Sequence, residues 1–269
     1  MPASLAGRPR VRAVLFSAAS MDKSHELIPS ASMGRPIHLW RYGHWGAPLL
    51  VFPTAAGMAH EWEVQGMVDA LAPWIDRGRL KLYCVESNVA ETFTRKDGDP
   101  AWRIGRYLAY ERFVHRELAD FVRADCGGAE LPIGAAGASL GAVYAANAAL
   151  KGPETFRWSL CLSGRYEIRH FLDGFDSPEV FFANPLAYVP GLSGEPLARA
   201  THATHLTLVC GQGPFEEGCI EETHALGDLL AAKGIPCRKD IWGHDVAHDW
   251  NWWRRQTVYH LAQRLGGLG

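Results

Sequence analysis

The chain contains no apolar run long enough to cross a membrane; its hydrophobic stretches are short and interrupted. Its six cysteines (Cys84, Cys126, Cys161, Cys210, Cys219, Cys237) form no C-x-x-C pair. Most sit in apolar runs, where a reduced, buried thiol is the expected state. Neither sign of charge dominates: 27 Lys and Arg stand against 29 Asp and Glu, for a net charge of −2. That balance gives no basic surface for nucleic acid or for an acidic membrane. No repeat, low-complexity stretch or linker divides the chain. The start, Met1-Pro2-Ala3-Ser4-Leu5-Ala6-Gly7-Arg8, lacks the apolar core of a signal peptide. At 269 residues and 48% hydrophobic content the chain can bury a sizeable core. The expectation is a soluble, cytoplasmic, single domain over residues 1–269 with neither nucleic acid nor membrane as partner. A homo-oligomer stays open.

What the chain does have is an alternation of short apolar segments and helical patterns. Residues 11–16 and 37–42 read as early antiparallel strands, and 48–53 as a buried strand followed by the turn Thr54-Ala55-Ala56-Gly57. A helical pattern over 61–74 leads to a strand at 80–85 and a long amphipathic stretch over 102–126. Strands follow at 131–136, 156–163, 205–210 and 236–242, with helices at 142–150, 219–233 and from about 249. Residues 165–200 are loop-rich and read as a cap-like segment. The pattern predicts an α/β fold with a mostly parallel, doubly wound sheet.

Gly137-Ala138-Ser139-Leu140-Gly141 is a G-x-S-x-G pattern set between an apolar strand and a strong helix former. A serine on so tight a turn is crowded by strand and helix, and flanking residues without a Cβ relieve that crowding. The alternative is a small-residue helix start with a capping serine. A serine hydroxyl becomes a nucleophile when a histidine takes its proton and a carboxylate fixes the histidine tautomer. Of seven histidines after Ser139, His248 lies just past the last expected strand, where a general base belongs; His244 is its competitor. The His244-x-x-x-His248 spacing suits a metal only on a helix, and no third ligand is evident, so neither a metal nor a cofactor is expected. The glycine-rich turn Gly211-Gln212-Gly213-Pro214-Phe215-Glu216-Glu217 follows strand 205–210. It offers Glu216 first and Glu217 second as the acid, although either could equally be a first-turn helix acid. The oxyanion hole is assigned to the N–H groups of Leu140 and Ala55, with Thr54 next. Trp250, Phe181 and Tyr188 are candidates for the substrate pocket, against the plainer reading that such aromatics fill core.

The G-A-S-L-G elbow, Gly234-Ile235-Pro236 before a strand, and His248-Asp249-Trp250-Asn251-Trp252-Trp253-Arg254 together resemble the Putative esterase family of α/β-hydrolases. That family includes the esterase D or S-formylglutathione hydrolase type, feruloyl esterase domains and mycolyltransferases. Segments 52–57, 211–216 and 184–188 are similar to those of a bacterial esterase subgroup. The resemblance covers about residue 35 to the end. It implies an α/β-hydrolase fold and a His-x-Trp-x-x-Trp-like segment opening the last helix, which favours His248 over His244. It departs from the family in lacking a His-Gly-Gly oxyanion turn. The resulting expectation is a serine carboxylesterase acting on a small-molecule ester through an acyl-enzyme on Ser139. An acyltransferase with the same triad, or a non-catalytic scaffold, are the alternatives.

Overall fold

The computed structural model describes residues 21–128 and 130–266. Eight strands form one sheet: β1 Lys23–Ile28, β2 Ile37–Tyr42, β3 Ala47–Phe52, β4 Leu80–Val85, β5 Ile133–Ala138, β6 Phe156–Leu162, β7 His205–Cys210 and β8 Cys237–Ile241. Their order is β1-β2-β4-β3-β5-β6-β7-β8. The β1–β2 and β2–β4 pairs are antiparallel, and every other pair is parallel. This is the mostly parallel sheet with antiparallel N-terminal strands that the sequence predicts.

The strand sequences explain the burial. In β3, Leu50 and Phe52 enter one core cluster while Leu49 and Val51 enter the other, on the opposite face. The side-chain period of two therefore demands a cover on both faces, and helices supply it. One face is covered by α1 (Glu61–Val64) and α2 (Met67–Ile75), together with the last helix, α10 (Trp250–Leu265). The other carries α3 (Pro100–Arg112), α4 (Ala119–Asp125), α5 (Leu140–Lys151), α6 (Pro178–Ala183), α7 (Pro185–Tyr188), α8 (Gly194–Ala203) and α9 (Cys219–Ala232).

Several boundaries differ from expectation. The helix expected over 61–74 is two helices, because Gly66 takes a left-handed φ of 70° between them. The long stretch after residue 100 changes to π-helical winding over Phe113–Leu118 before continuing as α4. The strand expected at 11–16 lies outside the described residues. In its place at the sheet edge, β1 has the sequence KSHELI, whose polar character gives little strand signal and whose partner lies on one side only. The segment 165–200 folds into short helices whose Val180, Ala183, Val189 and Ala200 are fully buried in the core of one face.

Parallel pairing has one consequence for function. It brings the carboxyl ends of β3, β5, β6, β7 and β8 to a single rim, so the loops that follow them can meet.

Candidate active site

Ser139 follows β5 directly and opens α5 with φ 55° and ψ −122°. A non-glycine residue there is strained by about 1–3 kcal/mol, and surrounding structure must hold it. Its N–H is fixed to Leu162 O at the end of β6, at 2.9 Å. The glycines on either side are forced by contact. A Cβ on Gly137 would lie 2.2 Å from Gly141 O, and one on Gly141 would lie 2.5 Å from Phe52 O and 2.6 Å from Pro53 O. The elbow thus closes on itself and against the end of β3.

Glu216 follows β7 and is 1% exposed, while Glu217 beside it is exposed. The Glu216 carboxylate accepts four contacts. Ser163 Oγ donates to Oε1 at 2.6 Å and Gly211 N donates at 3.2 Å; His248 Nδ1 lies 3.2 Å from Oε2 and Cys210 Sγ 3.3 Å from it. Burial by itself raises the Glu216 pKa. The hydrogen bonds from His248 and Ser163, with the imidazole's charge, outweigh burial and hold it below the ordinary glutamate value. The acid and histidine loops touch along their backbones. A Cβ on Gly211 would lie 2.0 Å from Val246 O, and His248 N donates to Pro214 O at 3.0 Å. Glu216 and His248 are therefore joined, whereas His244 is exposed. Asp249 is occupied as the N-cap of α10, accepting from Asn251 N and Trp252 N.

Three further side chains complete this cluster, and the sequence reading passed over two of them. Ser163 directly follows β6 at φ 46° and is fully buried; besides donating to Glu216, its hydroxyl accepts from Trp253 Nε1 at 3.0 Å. The Trp253 ring stands edge-on to His248, centroids 4.8 Å apart. Cys219, the first residue of α9, lies with Sγ 3.7 Å from His248 Nδ1, and burial pushes its thiol up to about 12. The available signal for Ser163 is a serine–glycine step just after a strand, Ser163-Gly164. Cys219 gave none, since its neighbour His248 is 29 residues away.

The turn after β3 resolves which N–H group is available near the elbow. Thr54 N donates to Glu61 Oε2 at 2.7 Å, Ala56 N to Thr54 Oγ1 at 3.4 Å, and Gly57 N to Thr54 O at 3.1 Å. Among the described residues this leaves Ala55 N uncommitted. Leu140, as the first residue of α5, has an N–H with no acceptor inside its helix. Glu61, 4% exposed, grips Thr54 through both carboxylate oxygens and was not foreseen; burial raises its pKa. Sequence alone had ranked Ala55 over Thr54 on position only.

The aromatic pocket candidates separate. Trp250 sits beside the histidine loop, its ring perpendicular to Trp253 at 5.1 Å. Phe181 and Tyr188 instead line a cavity of about 610 Å³ with Leu150, Lys151 and Leu192, at the far end of α5. That end is about 16 Å along the helix axis from Ser139. Tyr188 Oη donates to Asn147 Oδ1 at 2.8 Å, which ties it to the helix. These two residues are corrected to a separate cavity, because α6 and α7 dock against the C-terminal half of α5.

A model of the family described as Putative esterase matches residues 96–265. A search of curated protein sequences returns no match. Solved structures with the same fold include a ferulic acid esterase, 15% identical, covering 91% of this chain and 99% of that one, TM-score 0.70. S-formylglutathione hydrolase (FrmB) from Staphylococcus aureus is 13% identical and covers 91% and 97%, TM-score 0.68. A fluorophosphonate-binding serine hydrolase, FphF of Staphylococcus aureus, is 14% identical and covers 91% and 99%, TM-score 0.64.

Proposed function

The chain belongs to the Putative esterase family, and from that premise we propose that it is a serine carboxylic ester hydrolase, opening a small or medium carboxylic ester through an acyl-enzyme on Ser139. The observation that carries this reading is the Glu216–His248 hydrogen bond at the rim where the strained Ser139 stands. Held by Glu216 at Nδ1, the imidazole presents Nε2 as the base. His248 takes the Ser139 proton as Oγ bonds to the ester carbonyl carbon, and the carbonyl π pair moves onto oxygen. The N–H groups of Ala55 and Leu140 receive that oxyanion. Its collapse expels the alkoxide, which takes the proton from His248 and leaves as the alcohol. Water then repeats the sequence on the acyl-enzyme and releases the acid. Trp250 borders the acyl group's site. One domain, bearing one sheet and all of these residues, is part of the proposal. So is a cytoplasmic setting, supported by six free thiols.

The test is a fluorophosphonate label, which should react with the wild type and not with Ser139→Ala. Glu216→Gln should remove p-nitrophenyl ester hydrolysis and Glu217→Gln should leave it. A folded wild type that takes no label overturns the nucleophile assignment, and the reverse ranking of the two glutamates overturns the acid.

A further inference from the structure

The Glu216–His248 pair has a third neighbour that acyl transfer does not use. Cys219 Sγ, His248 Nδ1 and a Glu216 carboxylate oxygen all lie within 4.8 Å of one another. We propose that these three atoms form a binding site for a thiophilic divalent cation such as Zn²⁺, and that the bound ion switches hydrolysis off. Binding stands on the geometry alone; the inhibition rests on the reading of His248 as general base.

The two separations from His248 are those of a metal centre, and the Cys219 sulfur lies within 4.8 Å of the Glu216 carboxylate. With bonds of about 2.0 Å to nitrogen and oxygen and about 2.3 Å to sulfur, a tetrahedral ion holds its N and O donors about 3.3 Å apart and its N and S donors about 3.5 Å apart. Here the Nδ1–Oε2 distance is 3.2 Å and the Nδ1–Sγ distance 3.7 Å. The donors are also fixed in place. Ser163 and Gly211 hold Glu216, Cys219 N donates to Glu216 O at 2.9 Å, and His248 N is tied to Pro214 O. The His248 side chain is 18% exposed, which gives an ion a way in and a fourth position for water. A thiolate, an imidazole and one carboxylate select zinc, cobalt or cadmium over magnesium or calcium.

Binding has a defined proton balance. The carboxylate is already ionised, and the thiol releases its proton to solvent as sulfur bonds to the ion. The ion takes the Nδ1 lone pair, so the ring's single proton moves from Nδ1 to Nε2. A ring protonated at Nε2 cannot accept the Ser139 proton, and its bond to Glu216 has been replaced by bonds to metal. Cys219 takes no part in the acyl transfer, so it separates the two functions.

Co²⁺ titration of the full chain reads binding directly. Wild type and Ser139→Ala should both develop a sulfur-to-cobalt charge-transfer band with tetrahedral d–d bands, and Cys219→Ala, which keeps the other five thiols, should not. In parallel, Zn²⁺ should inhibit p-nitrophenyl ester hydrolysis by wild type, reversibly with a chelator. Cys219→Ala should hydrolyse at the uninhibited rate and need at least about tenfold more Zn²⁺ for half inhibition. Absence of the band, or an equal band in Cys219→Ala, overturns the site while leaving the esterase reading intact. A Cys219-dependent band with hydrolysis untouched at saturating metal overturns His248 as base and leaves the site standing.

Discussion

Replacing Ser163 with alanine tests whether Glu216, the proposed acid, is held by the residue just after β6. The hydroxyl donates to a buried carboxylate at 2.6 Å and accepts the buried indole N–H of Trp253 at 3.0 Å. A hydrogen bond to a charged group contributes about 1.5–3 kcal/mol, and an indole N–H left unpaired inside the protein costs about 1–3 kcal/mol. Together the loss should be about 3–5 kcal/mol, a large part of the usual 5–15 kcal/mol margin. The chemistry should suffer as well: Glu216, free to turn, holds His248 less well, and kcat should fall on the order of 10- to 100-fold with KM nearly unchanged. Thermal unfolding by circular dichroism and p-nitrophenyl ester kinetics read the two effects. Trp253→Phe removes the indole donor already, so adding Ser163→Ala to it should cost less than the sum of the single changes. Ser163→Gly should be more stable than Ser163→Ala, because φ is 46° at this position. The acid limb adds a readout that packing alone would not move. A depressed carboxylate pKa contributes stability that is present above the unfolded value and is lost as pH falls through the folded one. Without Ser163 the Glu216 pKa rises towards its unfolded value, so that contribution shrinks and its loss starts at higher pH. A Ser163→Ala protein with wild-type stability, wild-type kcat and an unmoved acid limb would refute the argument.

Two further changes probe the scaffold. Gly137→Ala places a Cβ 2.2 Å from Gly141 O, backbone against backbone. It should unfold the elbow, with hydrolysis reduced by at least about 100-fold and a lowered melting temperature; a fully active, equally stable variant would show that the turn has room. His115, in the π-helical segment, packs edge-on against Phe156, and desolvation together with the Lys151 charge pushes its pKa down to about 4. The unfolded chain then binds a proton near pH 6.5 that the folded chain refuses until about pH 4. Stability should fall as pH drops through that window. Urea unfolding across it should give a flatter curve for His115→Gln than for wild type, and parallel curves would contradict the assignment.

Much of the fold was legible because it rests on local pattern. The strands at 37–42, 80–85 and 205–210 coincide with expectation residue for residue, since each is a short run bounded by turn signals. β1 was missed because an edge strand pairs on one side only, and its alternating polar residues need little burial to be satisfied. The break at Gly66 was missed because the apolar period continues across it.

The sequence by itself determined most of the sheet strands and long helices, their alternation, and the elbow whose glycines admit no side chain. It also put the candidate acid and histidine on the loops after β7 and β8, because chain order and strand ends are local facts. Only the tertiary structure shows how neighbouring candidates differ in placement. Glu216 points inward and Glu217 outward; His248 reaches the acid and His244 does not; Thr54 spends its N–H on Glu61 and leaves that of Ala55 free. It also moved Phe181 and Tyr188 to another cavity, and it drew Ser163, Trp253 and Cys219 around one carboxylate–imidazole pair. These choices depend on where five parallel strands end at a common rim. Contacts between residues 29 to 90 positions apart leave no periodic trace in the chain.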